Sequence, residues 1–308
     1  MKRNCRFLAT LGMTTALGMT AALGMTDFQT LGAQAPARLD APRPIDAGES
    51  LWAEELTWME IRDLLKAGKA TTIIIGTGGV EQNGPYVAGG KHNFVLQTVL
   101  PYIARAIPNS LIAPIVKFVP EGRIEPTPSG HMQYPGTISL EQPTFIALLT
   151  DICRSYKAHG FTDIILIGDS GGNQNGMRAV ADTLNAKWAG DKTRVHYLAE
   201  YYSEDRWSYD FLKTLGITQV DSTPGRQRDA RVDTRNGMHD DVYYEAQIAV
   251  QDPKLIRAAQ REKAGQLSIH GVNLAPIGST IELGKKLAEY RAGITAKAFQ
   301  ASKNRLRP

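Results

Sequence analysis

Apolar residues along this chain fall on two alternating periods. Trp58, Ile61, Leu64 and Leu65 recur three and four residues apart behind Thr57 and stop at Gly68, which predicts a helix with Thr57 as its N-cap. Residues 71–76 (Thr-Thr-Ile-Ile-Ile-Gly) form an apolar run too short for a helix, the pattern of a strand buried on both faces. The alternation then repeats. Residues 94–106 read as helix and 111–119 as strand, and Phe145, Leu148, Leu149, Ile152, Cys153 and Tyr156 mark one face of a helix ending at Gly160. Residues 163–168 are a second continuous apolar strand, followed by a Gly-rich turn, a helix over 177–188 and a strand over 195–199. Helices from about Asp241 and Pro253, and a final one with Leu283, Leu287, Tyr290 and Ile294 on one face, complete the pattern. Strands alternating with helices predict an α/β fold, a three-layer α/β/α sandwich around a mainly parallel sheet. Nothing linker-like interrupts residues 51–308, so they are read as one domain behind an exposed lead-in at 38–50.

The first 37 residues break the pattern. Lys2, Arg3 and Arg6 precede an uncharged stretch over residues 7–26, and Ala33-Gln34-Ala35 or Ala35-Pro36-Ala37 offers the small residues of a signal-peptidase site. This predicts a cleaved signal peptide, a periplasmic or secreted mature protein, and no membrane attachment after cleavage. Composition narrows the picture further. With 43% apolar and 21% charged residues, the chain is globular rather than disordered. Two cysteines, Cys5 and Cys153, are too few for a zinc ribbon or a disulfide framework, and Cys153 falls on a core face. A net charge of +4 gives no footprint for nucleic acid. The expected partner is a small-molecule substrate.

Ligand sites in open parallel sheets lie beyond the carboxyl ends of the strands. Two polar, Gly-rich segments follow the predicted strands there: residues 78–93, carrying Glu81, Asn83 and His92, and residues 168–173, carrying Asp169, Ser170 and Asn173. A third cluster, Gly237-Met238-His239-Asp240-Asp241, precedes a helix. Together they supply carboxylate and imidazole groups suited to a divalent metal, zinc or manganese. Asp240 and Asp241 have an equal claim as helix N-terminal carboxylates.

Glu81-Gln82-Asn83-Gly84-Pro85, Tyr134-Pro135-Gly136-Thr137-Ile138-Ser139-Leu140, Gly171-Gly172-Asn173 and the region of His239 resemble, in order, the motifs of the creatininase (creatinine amidohydrolase) family. The resemblance implies a single layered α/β/α domain, often assembled as a homo-oligomer of six, with a two-metal site that hydrolyses cyclic amides and related C–N bonds. It keeps the family's first ligand as Glu81. It places Asn83 and Ser170 where the family has ligand histidines, Tyr86 at a second histidine of the first motif, and His92 where a bridging Asp falls. His92 and Asp169 are therefore expected to hold a metal with Glu81. His239 resembles the family's catalytic histidine, oriented by Asp240 or Asp241; Asn83, His131, Ser170 and Asn173 are expected to line the substrate pocket. Glu245 lies one residue from a family glutamate.

The expected function is that of an exported metal-dependent hydrolase acting on an amide or related C–N bond. Two other readings remain open. Gly168-Asp169-Ser170-Gly171-Gly172 satisfies the Gly-x-Ser-x-Gly pattern between a strand and a helix, which would make Ser170 the nucleophile of a serine hydrolase. A noncatalytic periplasmic binding protein would also account for the changed ligands. The Arg-rich segment with Arg226, Arg228, Arg231 and Arg235 reads as a solvated loop or as a cover over the site that attracts an acidic substrate.

Overall fold

Four short strands lie parallel in the order β2-β1-β3-β4, with β1 at Thr72–Thr77, β2 at Ser110–Ile112, β3 at Asp163–Gly168 and β4 at Arg194–Tyr197. The computed structural model describes residues 38–202, 206–219 and 239–306; the expected signal peptide and the Arg-rich segment lie outside them. The described residues from Ile45 onward form one compact unit, and residues 38–44, which belong to a separate unit, make a short turn.

Helices are α1 (Trp58–Lys66), α2 (Lys91–Ala106), α3 (Gln142–Ala158), α4 (Gln174–Lys187), α5 (Arg206–Thr214), α6 (Val242–Gln251), α7 (Ala258–Lys263) and α8 (Ile277–Leu306). Every residue of β1 and β3 is buried, as a strand covered on both faces must be. Their side chains alternate between two cores. Ile74, Ile165 and Ile167 pack with apolar residues of α2, α6 and α8. Ile73, Ile75, Ile164 and Leu166 point the other way, into a core with α3 and α4 against which α1 leans. This is the expected α/β architecture with its mainly parallel sheet. Among the described residues no helix is long and apolar enough to cross a membrane.

Several boundaries differ from the sequence pattern. Thr57 does cap α1, in a reciprocal box with Glu60. The strand expected over 111–119 is shorter, because Pro114 has no N–H to give the ladder; the chain rejoins β1 only as a bridge between Val116 and Thr77. Helix α2 begins at Lys91, so the last polar residues of the Gly-rich run are its first turn. The helix expected from Pro253 is a 3₁₀ turn, Pro253–Ile256, followed by α7. On α8 the buried face runs through Gly284, Leu287, Ala288, Arg291 and Thr295, while Tyr290 is 40% exposed. Gly284 has a steric reason: a Cβ there would lie 2.1 Å from the carbonyl oxygen of Ala246, so α6 and α8 meet backbone to backbone. Cys153 is buried, and burial pushes its thiol up to about 12, leaving it unreactive.

Candidate metal centre

Chain order makes the gap beyond β1 and β3 the natural ligand site. From β1 the chain crosses to β2 on one side, then returns to β3 on the other, so the loops leaving these neighbours diverge and open a crevice at their carboxyl ends. Asn173 ties the two loops together, its Nδ2 donating to the carbonyls of Thr77 (3.0 Å) and Gly78 (2.9 Å). Gly79, at φ 156°, passes so close to Glu121 that a Cβ would fall 1.8 Å from Oε1. Two residues later the chain delivers Glu81 into the crevice, its N–H donating to Gly89 O at 2.9 Å.

Glu81 is the hub. Its side chain is 2% exposed; Oε1 receives Lys91 Nζ at 3.0 Å and His92 Nε2 at 2.9 Å, and lies 3.4 Å from His239 Nε2, while Oε2 lies 3.2 Å from His131 Nε2. Burial opposes its charge, but Lys91, His92 and His239 together hold the carboxyl well below the usual carboxylate range. The rings of His131 and His239 stand 4.7 Å apart, each partly open to solvent. Lys91, by contrast, is fully buried, donates to the carbonyl of His239 at 2.8 Å and sits 4.4 Å from the centre of the Tyr244 ring. That ammonium is the first cause holding the His239 imidazole well below its usual value, with burial second, so the ring is neutral at pH 7.

Behind Glu81 the groups form a buried relay. His92 is clamped between Glu81 and Asp169 Oδ2, the latter at 2.8 Å from Nδ1. Burial works against a charged ring there, yet the Glu81 carboxylate and both hydrogen bonds outweigh it and the opposing Lys91, raising His92 to about 9. It is an imidazolium at neutral pH and donates from both nitrogens. Asp169 Oδ1 accepts from Tyr201 Oη at 3.1 Å and lies 2.8 Å from Arg291 Nη1, off the line of its N–H, a charge pair rather than an aligned hydrogen bond. Burial opposes the charge on Asp169, and Arg291 with His92 more than compensates, keeping its pKa low.

Glu121 closes the cluster. Ser139, from the Pro-Gly-Thr-Ile-Ser-Leu motif, accepts from its backbone N–H at 2.9 Å and donates to Gly122 O at 2.7 Å, fixing the turn. Burial first, then the neighbouring Glu81 charge, raise the Glu121 carboxyl to about 8 against the lowering effect of His92 and the Ser170 hydroxyl, so it carries a proton at neutral pH.

Among the described residues two groups present ligating atoms within 4.8 Å of one another, and they share Glu81: Glu81, His131 and His239, which is partly open, and Glu81, His92 and Glu121, which is fully buried. Of the ligands expected from the sequence, Glu81 and His92 meet directly, whereas Asp169 sits on the far side of the His92 ring. His131, expected as a pocket residue, faces Glu81 beside His239. Of the neighbouring carboxylates, Asp241 caps α6 and accepts from Tyr209 Oη at 2.6 Å, and Asp240 Oδ1 accepts from the Asp241 N–H. Burial and then Glu245 push Asp240 well above the usual carboxyl range. Glu245 itself pairs with Arg261. Asn83 Nδ2 holds the carbonyls of Glu81 (3.0 Å) and Ala88 (3.2 Å). Ser170 donates to Glu121 Oε2 at 2.9 Å from an extended backbone, φ −108°, unlike the sharp strained turn of a nucleophile elbow. Sequence reasoning gave no role to Lys91, Glu121, Arg291 or Tyr244. Lys91 and Arg291 had a signal, since each stands four residues from apolar positions of its helix; Glu121 had none.

Comparison with known proteins identifies the family and the fold. The family described as creatinine amidohydrolase (creatininase) matches over residues 54–304. No curated protein matches. Similar solved structures include a creatinine amidohydrolase (creatininase), 17% identical with a TM-score of 0.56 over 85% of this chain and 100% of that one. A manganese creatininase is 17% identical with a TM-score of 0.54, over 84% and 100%. A mutant creatininase of Zn-Zn type is 16% identical with a TM-score of 0.53, over 85% and 100%. These likenesses establish the fold, and the match to the family across nearly the whole described chain establishes that this protein belongs to the creatininase family of amidohydrolase enzymes.

Proposed function

We propose that this chain is an exported hydrolase that cleaves the C–N bond of a small cyclic amide, or a related bond, with a divalent ion held by Glu81, His131 and His239. The carrying observation is the convergence of one buried carboxylate and two half-open imidazoles on a space their ligating atoms bound within 4.8 Å. Two histidines and a glutamate form a donor set suited to catalytic zinc and acceptable to manganese. The donor chemistry fits: the His239 ring is neutral and Glu81 ionised, the forms a cation requires. His92 fits less well as a ligand, since both its nitrogens are engaged by carboxylates, and Asp169 is engaged behind it.

A bound ion would lower the pKa of a water ligand and polarise the substrate carbonyl. The chain's own residues do the rest. Lys91 keeps Glu81 ionised and holds the backbone of His239 in place. Glu121, protonated at neutral pH beside Glu81, is the acid for the leaving nitrogen. The partly exposed edges of His131 and His239 give a small molecule its approach. A mutant creatininase of similar fold is complexed with creatine, which supports a substrate of that size and chemistry. Export to the periplasm or beyond rests on the basic head and Ala-x-Ala site, and homo-oligomeric assembly on the family resemblance.

The test is hydrolysis of creatinine and other small cyclic amides by the purified chain, stripped with chelator and reloaded with zinc or manganese. Turnover should vanish on stripping and return on loading. A wild type that binds no divalent ion, or turnover indifferent to chelator, refutes the reading; covalent fluorophosphonate labelling of Ser170 would replace it with a serine hydrolase.

A further inference from the structure

We propose that the buried ammonium of Lys91 takes the place of a second metal ion, so that the centre binds one divalent ion per chain rather than two. The inference rests on the metal-dependent reading above and concerns how many ions that site can take. Glu81 is common to both candidate groups, so a two-ion centre would need it to serve the open group and the buried group at once. On the buried side the carboxylate already has a cation. Lys91 Nζ stands 3.0 Å from Glu81 Oε1, and its other contacts, the carbonyl of His239 at 2.8 Å and the face of Tyr244 at 4.4 Å, are those of a fixed positive charge. Its side chain is 0% exposed.

The remaining members of the buried group lie around the same carboxylate. His92 has carboxylate oxygens at 2.9 Å and 2.8 Å from its two nitrogens, Glu81 Oε1 among them, so it shares with Lys91 the oxygen an ion would need. Glu121 Oε2 accepts from Ser170, which stands where the family resemblance puts a ligand histidine, and its Oε1 has no hydrogen-bond partner, so the charge of Lys91 is what closes this side. Asp169, behind His92, is matched by Arg291. A divalent ion sharing Glu81 Oε1 with Lys91 would face that ammonium with little solvent to screen the repulsion. The open group has two imidazoles and one side toward solvent, and it keeps its capacity for one ion.

The experiment counts metal in the full chain. Protein stripped with chelator is dialysed against zinc or manganese, freed of excess, and assayed by plasma mass spectrometry and by native mass spectrometry. Wild type should hold one ion per chain. Lys91→Met, which keeps the length of the side chain and removes its charge, should rise to two, and Lys91→Arg should stay at one, with circular dichroism confirming that each is folded. Two ions in wild type, or a folded Lys91→Met that still takes one, overturns the proposal. Should Lys91→Met not fold, Lys91→Gln, uncharged but polar, takes its place: its count should rise to two, and a folded Lys91→Gln that still takes one overturns the proposal. A wild type with no ion at all overturns the hydrolase reading together with this inference, which separates that failure from the others.

Discussion

Arg291 and Asp169 are 1% and 0% exposed and face each other at 2.8 Å, linking α8 to the loop after β3. Removing one partner strands the other's charge, which costs about 3–5 kcal/mol in a buried pair. Arg291→Met also removes the hydrogen bond from Nε to Tyr201 O at 3.1 Å and stacking on Tyr201 at 3.8 Å, so its loss belongs at the upper end of that range. In a chain of this size each kcal/mol moves Tm by roughly 2–4 °C, giving a fall of roughly 6–20 °C for each single variant. The double variant, Arg291→Met with Asp169→Asn, removes both charges of the pair and leaves His92 to Glu81 alone. Its loss should therefore be smaller than the sum of the two singles by about 0.5–3 kcal/mol, the coupling typical of contacting groups. The assay is urea unfolding of all four proteins in chelator, read by circular dichroism. Additive losses would refute the claim that this pair is a coupled structural anchor. Metal content gives a second check: if Asp169 only braces His92, Asp169→Asn should keep the ion that Glu81→Ala loses.

Three further outcomes follow from the same geometry. In the metal-free chain, Glu121 is raised to about 8 and His92 to about 9, so the folded state holds more protons than the unfolded one; the stability they contribute should fall as pH rises through about 8 and 9, and a Tm that climbs between pH 7 and 9 would contradict this. Glu121→Gln should keep its metal and fold but lose roughly 10²–10⁴-fold in kcat, the scale of a general acid, and wild-type turnover in that variant would remove Glu121 from the chemistry. Gly284→Ala should cost about 1–3 kcal/mol in urea unfolding, because its Cβ would meet the Ala246 carbonyl oxygen at 2.1 Å and α6 and α8 would have to separate.

The layered fold was legible because β1 and β3 are buried on both faces and so must be apolar throughout, whatever follows them. The site was legible in part. Glu81 stood out as a carboxylate in a Gly-rich turn, and His92 and Asp169 as departures from a family pattern at neighbouring positions. Lys91 was hidden by its setting: in a run of glycines and polar residues it reads as solvated, although Lys91, Val95 and Val99 follow the four-residue spacing of one helix face. Extending α2 back by one turn would have placed the ammonium indoors. Glu121 could not be read, since it lies in an irregular stretch and reaches the centre only through the turn pinned by Ser139. The partnership of Asp169 with Arg291 was beyond reach for a different reason: it joins elements far apart in the chain, and no local period records such a contact.

The most direct test of a metal centre at Glu81, His131 and His239 is anomalous diffraction at the zinc edge from crystals of the zinc-loaded chain. The account predicts one peak per chain, within coordinating distance of a Glu81 carboxylate oxygen and of Nε2 of both His131 and His239. A peak enclosed by Glu81, His92 and Glu121 instead, a pair of peaks, or none would contradict it.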